Sequence, residues 1–229
     1  MKNLFLLFFI FFSTLSFSQE EDFQTNDSLK VDTKYLEDQL YLTITYNTLS
    51  NQPNMVTDSG FSYGISAGFI KDLPLNTKRN FAFGIGLGYG FDSFNHGLKV
   101  MENNNQTSFE IDNTLMSNKF VVHNIELPLE LRWRNSTPTK YAFWRIYAGV
   151  KLTYNFSNNF TYVSNNDSFE FNNISSFKKF QTGLMLSAGY DAFNLHFYYG
   201  LTPLFKDSFI GNDSIDTKIL KFGLTFYIL

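Results

Sequence analysis

Phe81-Ala82-Phe83-Gly84-Ile85-Gly86-Leu87-Gly88-Tyr89-Gly90-Phe91 is the stretch whose reading decides the fold. The odd positions hold Phe, Phe, Ile, Leu, Tyr and Phe, and the even positions hold Ala and four Gly. In an extended chain successive side chains leave opposite faces, so every large group points one way and every small one the other. A helix would mix the two sets around its circumference.

The same alternation extends to both sides. It is read over Leu40–Asn47, Phe61–Phe69, Val121–Arg134, Trp144–Tyr154, Lys179–Tyr190, Phe193–Leu201 and Leu220–Ile228, which with Phe81–Phe91 makes eight strands. Short connections are expected at 72–79, 135–140 and 191–192. Long Asn- and Ser-rich loops are expected at 101–118 and 157–173, with intermediate ones at 51–59 and 206–214. Short and longer connections alternate along the chain. That is the arrangement of an even-stranded, antiparallel up-and-down β-barrel with periplasmic turns and outer loops.

Either face of such a barrel can be apolar. A soluble barrel turns it inward and a transmembrane barrel turns it to lipid. The small face discriminates. Four glycines exposed to solvent weaken a strand without gain, whereas toward a narrow axis they make room for bulky neighbours such as Tyr147 and Tyr198. Glu126, Glu130, Arg132 and Arg134 share the small face with Arg145 and Lys151 of the next strand. A charge facing lipid at the midplane costs about 2–4 kcal/mol, so these six are expected as a lumen cluster. Trp133 and Trp144 on the apolar face flank one short turn, and Tyr190 and Phe193 flank another, where an interfacial aromatic girdle belongs. The fold class is therefore all-β, an eight-stranded antiparallel transmembrane β-barrel.

At the N-terminus Lys2 precedes the unbroken apolar run Leu4–Phe12, and small residues follow before Gln19. This is the pattern of a cleaved signal peptide over 1–18, followed by a polar periplasmic leader over 19–38 and a barrel domain over 39–229. The expected location is the outer membrane. The 229 residues include no Cys, so neither an acylated cysteine anchor nor a disulfide framework is available. A formal charge of −3 without a basic run excludes a nucleic-acid surface. At 19% aromatic and 17% charged residues the chain is no disordered polymer.

The segment Glu126-Leu-Pro-Leu-Glu-Leu-Arg-Trp-Arg134, the following Tyr141-Ala-Phe-Trp-Arg-Ile-Tyr-Ala-Gly149 and the closing Lys221-Phe-Gly-Leu-Thr-Phe-Tyr-Ile-Leu229 resemble the porin-like outer-membrane β-barrel family of Bacteroidetes. The resemblance runs from about Leu40 to Leu229. It implies a membrane barrel, and its motifs form strands rather than carry catalysis.

Gly64-Ile-Ser-Ala-Gly68 has the letters of a nucleophile elbow, but it lies inside a strand with Ser66 on the small face, whereas the elbow needs a strand, a sharp turn and a helix. Glycines at every second position do not make a dinucleotide cradle. His96 and His123 are expected roughly opposite each other across a hairpin but on opposite faces, which opposes a shared metal, and His196 is expected in the lumen. Glu126 and Glu130 on one face of one strand stand about 13 Å apart, too far for paired glycosidase work. No catalytic, cofactor-binding or metal-binding residue is therefore expected. The sequence favours a structural or interaction barrel that touches outer-membrane lipid and meets a protein partner at the outer loops 101–118 and 157–173. A narrow channel gated at the charge cluster is the alternative, and a lipid-modifying enzyme is a poor third.

Overall fold

The computed structural model describes residues 38–228, apart from 54–55, 57–59, 105, 113, 136–142, 165–166 and 212. The signal peptide expected over 1–18, and the leader over 19–38 except Asp38, lie outside the described residues, as do most of the turn at 135–140 and Tyr141 and Ala142.

Thirteen strands occur among the described residues: β1 Gln39–Ser50, β2 Tyr63–Pro74, β3 Phe81–Asn95, β4 Leu98–Asn103, β5 Gln106–Ile111, β6 Ser117–Arg134, β7 Trp144–Ser164, β8 Asp167–Asn172, β9 Phe180–Tyr190, β10 Phe193–Gly200, β11 Phe209–Ile210, β12 Asp213–Ser214 and β13 Lys218–Ile228. Eight of them pair antiparallel in the order β6-β3-β2-β1-β13-β10-β9-β7, and β6 pairs with β7 to close the ring. The first and last barrel strands meet along their length, from Leu40 opposite Ile228 to Ser50 opposite Lys218. Closure leaves no unpaired edge within the barrel, which lipid requires because it cannot hydrogen-bond a free backbone group.

Alternation translates directly into burial. On β3 the even positions from Ala82 to Phe94 face in, while Leu87 is 63% exposed on the outside. Leu131, Trp144, Leu186 and Leu195 are exposed in the same way on their strands. The outward face of the barrel is thus an apolar belt. At the end that carries both barrel termini, Asp191 takes a positive φ of 54° in the two-residue loop between β9 and β10.

Several expected boundaries are corrected. β2 begins at Tyr63 rather than Phe61 and continues to Pro74, so Asp72 lies in a strand and not in a turn. β10 stops at Gly200, leaving Leu201 outside. Most of the expected loops 101–118 and 157–173 is strand. β4 and β5 form a hairpin around Asn104, whose φ of 49° suits a tight reversal. β6 and β7 run on past the belt, and β8 pairs with the top of β7 where β9 does not reach. The connection 206–214 carries the hairpin β11–β12.

Candidate functional site: the filled lumen

The inward faces of β2, β6 and β7 converge near the short-turn end. Asp72 is fully enclosed and accepts hydrogen bonds from Arg132 Nη1 at 2.9 Å and from Arg134 Nη1 and Nη2 at 2.8 Å each. Arg132 also donates through Nε to Glu130 Oε2 at 3.1 Å and through Nη2 to Gln39 Oε1 at 2.6 Å. Arg134 Nε donates to the carbonyl of Arg79 in the β2–β3 turn. The planar guanidinium fork suits this work, since one group can engage several acceptors in fixed directions. Arg132 further lies 4.3 Å from the centroid of the Tyr147 ring. Outside the belt, Asp38 extends the network to the rim. Partial burial works against its ionised form, but the Asp72 N–H and the Lys71 ammonium at 2.6 Å hold its carboxyl below the usual range.

A second polar layer sits higher. Lys151 Nζ donates to Glu126 Oε2 at 2.8 Å, and Lys221 Nζ donates to both oxygens of Asp92 at 2.7 Å. Asn47 and Asn124 donate to the same Asp92 carboxylate, and Asn155 donates to Asn124 Oδ1. Tyr41, Ile70, Tyr147 and Tyr227 pack together in the same lumen.

All six residues expected in the lumen are buried there. They form two layers rather than one cluster, because Glu126 and Glu130 stand four residues apart on β6 and pair with different cations, Glu126 with Lys151 of β7 and Glu130 with Arg132 of β6. Arg145 joins neither layer. It faces Arg134 in register, and its guanidinium rests 4.5 Å from the Phe143 ring centroid. Asp72, Asp92, Lys221 and Gln39 are partners that strand-by-strand reading did not single out. The inward parity of Lys221 was visible, but its pairing across to Asp92 depends on barrel closure.

The glycine stripe of β3 does make room, though for other neighbours than expected. A Cβ on Gly88 would collide with Tyr41 Oη, and one on Gly90 would stand 2.6 Å from Glu126 Oε1. Tyr147 is not among the groups these glycines accommodate, and Tyr198 is accommodated by Gly183 of β9. Among the described residues, two of the lumen's cavities have about 10 Å³ each. The lower is lined by Tyr41, Glu130 and Tyr227 among others, the upper by Ser66, Asp92 and Lys221, and both by Lys151 and His196. Each has space for about one water.

The outer end is closed by apolar groups. Phe94, Phe120 and Phe160 point inward from β3, β6 and β7 and stack at 4.6 and 4.9 Å. Leu98 and Val100 of β4, with Ile174, Phe177, Leu204 and Phe205 of the connections, complete this cap. Glu102 and Thr107 of the β4–β5 hairpin accept hydrogen bonds from the backbone N–H groups of Ser175 and Ser176 and tie the connections together.

The histidines serve packing. His123 pairs in register with Phe91 and faces out, where Tyr89 Oη lies 2.6 Å from its Nδ1. His96 is buried edge-on against Phe120 at 4.9 Å, so the two are not opposed as expected. Burial pushes His96, which lies above the belt, down to about 3. His196 is held at 2.9 Å from Ser187 in the lumen. Ser66 lies mid-strand on the lumen wall with no helix after it. Among the described residues no three His, Asp or Glu side chains converge as metal ligands.

Trp133, Trp144, Tyr190 and Phe193 are all exposed on the outer face at the short-turn end, with Trp144 and Tyr190 rings 5.5 Å apart. A second ring of Tyr46, Tyr89, Tyr154 and Phe180 marks the other end of the belt. It was present in the alternation but was not singled out.

No curated protein sequence matches the chain. Similar solved structures are remote. The attachment invasion locus protein Ail of Yersinia pestis, solved in complex with the heparin analogue sucrose octasulfate, is 12% identical over 84% of this chain and 97% of Ail, with a TM-score of 0.38. Ail solved alone is 13% identical over 83% and 96%, with a TM-score of 0.34. A triple mutant of the Rhodopseudomonas blastica porin is 7% identical over 85% of this chain and all of its own, with a TM-score of 0.22. A family described as outer membrane protein beta-barrel domain matches residues 17–206, well over half of the sequence. With that match and a closed barrel wearing an apolar belt, the chain belongs to the outer membrane protein beta-barrel domain family.

Proposed function

We propose that this outer-membrane barrel is a closed, non-catalytic scaffold that works through its outer surface rather than through a pore. The observation that carries the reading is the filled lumen. Two ion-paired layers and an aromatic cap occupy the axis, and the two cavities described beside them hold about one water each. The hairpin β4–β5, the strand β8 and the connections pinned to them offer the surface on which an external or neighbouring protein would dock, and the belt meets outer-membrane lipid. Export through a signal peptide over 1–18 is part of the same reading. So is finer placement among the porin-like barrels of Bacteroidetes, which rests on the segments 126–134, 141–149 and 221–229.

Planar-bilayer conductance of the purified protein tests it, with a heat-shifted gel band as the control for a folded barrel. Silence is expected. A steady conductance that changes in Arg132→Ala would overturn the closed-scaffold reading and establish a narrow channel gated at the lower charge layer.

A further inference from the structure

Among the described residues β8 is the one strand of the main sheet with a single neighbour. The ring closes through β6 and β7, and β8 joins it only along residues 159–164 of β7. Those residues stand beyond Tyr154 of the outer aromatic ring, so β8 lies above the belt. Five of its six residues are exposed, and Phe171 is half-buried.

The phase of the ladder shows what its far edge presents. The Asn173 N–H donates to the Asn158 carbonyl at 2.8 Å, and the same register continues to Ser164 opposite Asp167. Hydrogen-bonded and non-hydrogen-bonded pairs alternate along an antiparallel ladder. Phe169 and Phe171 therefore bond back to β7, whereas the N–H and C=O groups of Ser168, Glu170 and Asn172 point away from it. No other described strand pairs with that edge. An open edge of this kind is a template for one more strand.

The two faces of β8 define the strand that would complete it. Phe169 and Phe171 share the cap side with Tyr162 and Phe160. Phe169 stacks on Tyr162 at 4.9 Å and is still 42% exposed. On the other side Glu170 accepts from Asn159 and Asn172 through Oε1 and makes no ion pair among the described residues. Lys119 stands in the same row two strands away, about 10 Å off, where exposed charges are largely screened. Asp167 is also exposed and unpaired among the described residues. A second copy does not suit this edge. Two barrels in one membrane stand the same way up, so facing β8 strands run parallel and the aromatic side of one continues the polar side of the other. Their carboxylates would also meet like charge.

We propose that β8 captures an extended segment of a partner protein as an added strand, one that sets cationic residues beside Glu170 and apolar residues beside Phe169 in alternation. This rests on the docking reading above and gives it a mode and a chemistry. Main-chain hydrogen bonds to Ser168, Glu170 and Asn172 supply affinity, and the two faces supply selectivity.

The test uses the purified protein folded in a neutral detergent, with the heat-shifted gel band as the control for folding. The probe is a capped peptide of alternating Lys and Val, about six residues long. Amide hydrogen exchange is read residue by residue by NMR. Exchange at Ser168, Glu170 and Asn172 is expected to slow about tenfold or more at saturation, while Phe169 and Phe171, already bonded to β7, change little. Glu170→Lys turns an attraction into a repulsion and is expected to weaken binding about fivefold or more. Ser168→Pro keeps the charge and the β7 ladder but removes one edge donor, and it should weaken binding as well. Exchange that ignores the peptide overturns the proposal. So does equal slowing by a Glu/Val peptide, or equal slowing in both variants. Slow exchange at these three amides before peptide is added, deepening with protein concentration, would give the edge to a second copy and overturn it too. None of these results bears on bilayer conductance, so the closed-scaffold reading stands or falls on its own measurement.

Discussion

Tyr41 sets the dimensions of the middle of the lumen. Its hydroxyl lies where a Cβ on Gly88 would have to go, and its ring lies 2.7 Å from the place of a Cβ on Gly68. Gly88→Ala therefore overpacks the axis, and a loss of about 1–3 kcal/mol is expected in urea unfolding of the reconstituted barrel. Adding Tyr41→Phe removes the colliding oxygen and should recover part of the loss. Recovery is incomplete because the Ala67 carbonyl stands 2.8 Å from the new Cβ. If Tyr41→Phe recovers nothing, the backbone rather than the tyrosine limits the space. At this scale the sequence was informative about parity and silent about partners. The inward direction of Gly88, Glu126 and Lys221 follows from counting by two. That Arg132 reaches Asp72 and Gln39, and that Lys221 reaches Asp92, depends on which strands face each other across a closed ring. Asp72 and Asp92 were missed for a further reason. Asp92 directly follows the alternating run Phe81–Phe91 and Asp72 comes three residues after the run Phe61–Phe69, so each resembles the polar start of a turn.

Among the elements, β7 shows where alternation stops being readable. Lys151, Thr153 and Asn155 face in, and so do Asn158, Phe160 and Tyr162, so parity changes within one strand. The cause is a bulge. His123 and Asn124 on β6 oppose Ser157 and Asn155, which leaves Phe156 as an extra residue on β7. A strict count by two ends at Tyr154, and the polar run beyond it then reads as a loop. The same bulge turns Phe160 inward to stack on Phe120 and helps build the cap. His96 sits edge-on in that cap, neutral and buried, with its proton affinity pushed down to about 3 from an ordinary value of 6.5. Between these values the unfolded chain binds a proton that the folded cap refuses, so stability falls as pH drops from about 6.5 toward 3 and is indifferent to His96 above that window. Hydrogen exchange of the backbone amides over 94–120 should therefore accelerate as pH is lowered through the window, after correction for intrinsic rates. His96→Phe should flatten the response. An equal acceleration in the variant would place the sensitivity elsewhere.

For the whole molecule the decisive quantity is the height of the apolar belt against the thickness of a bilayer. Trp144 and Tyr154 mark the two girdles on β7, ten steps apart. At about 3.3 Å per step and the tilt of about 40° usual for such strands, they are separated by roughly 25 Å along the membrane normal. That matches the apolar band of a transmembrane barrel, and it explains why the architecture was legible before any coordinates. Lipid outside and a narrow axis inside impose opposite demands on alternate residues, and those demands are written locally along each strand. Both tryptophans of the chain, Trp133 and Trp144, are exposed in the girdle at the short-turn end. In bilayers of lipids brominated at defined depths, their fluorescence should be quenched most by bromines near the headgroups and least by those near the acyl-chain ends. Trp144→Phe should lower the intensity and leave the depth profile unchanged, because the remaining Trp133 lies at the same level on the neighbouring strand. Strongest quenching from the bilayer centre would move the belt by half its height along the barrel. The lower arginine layer would then lie at the midplane, and the two aromatic rings would no longer mark the interfaces.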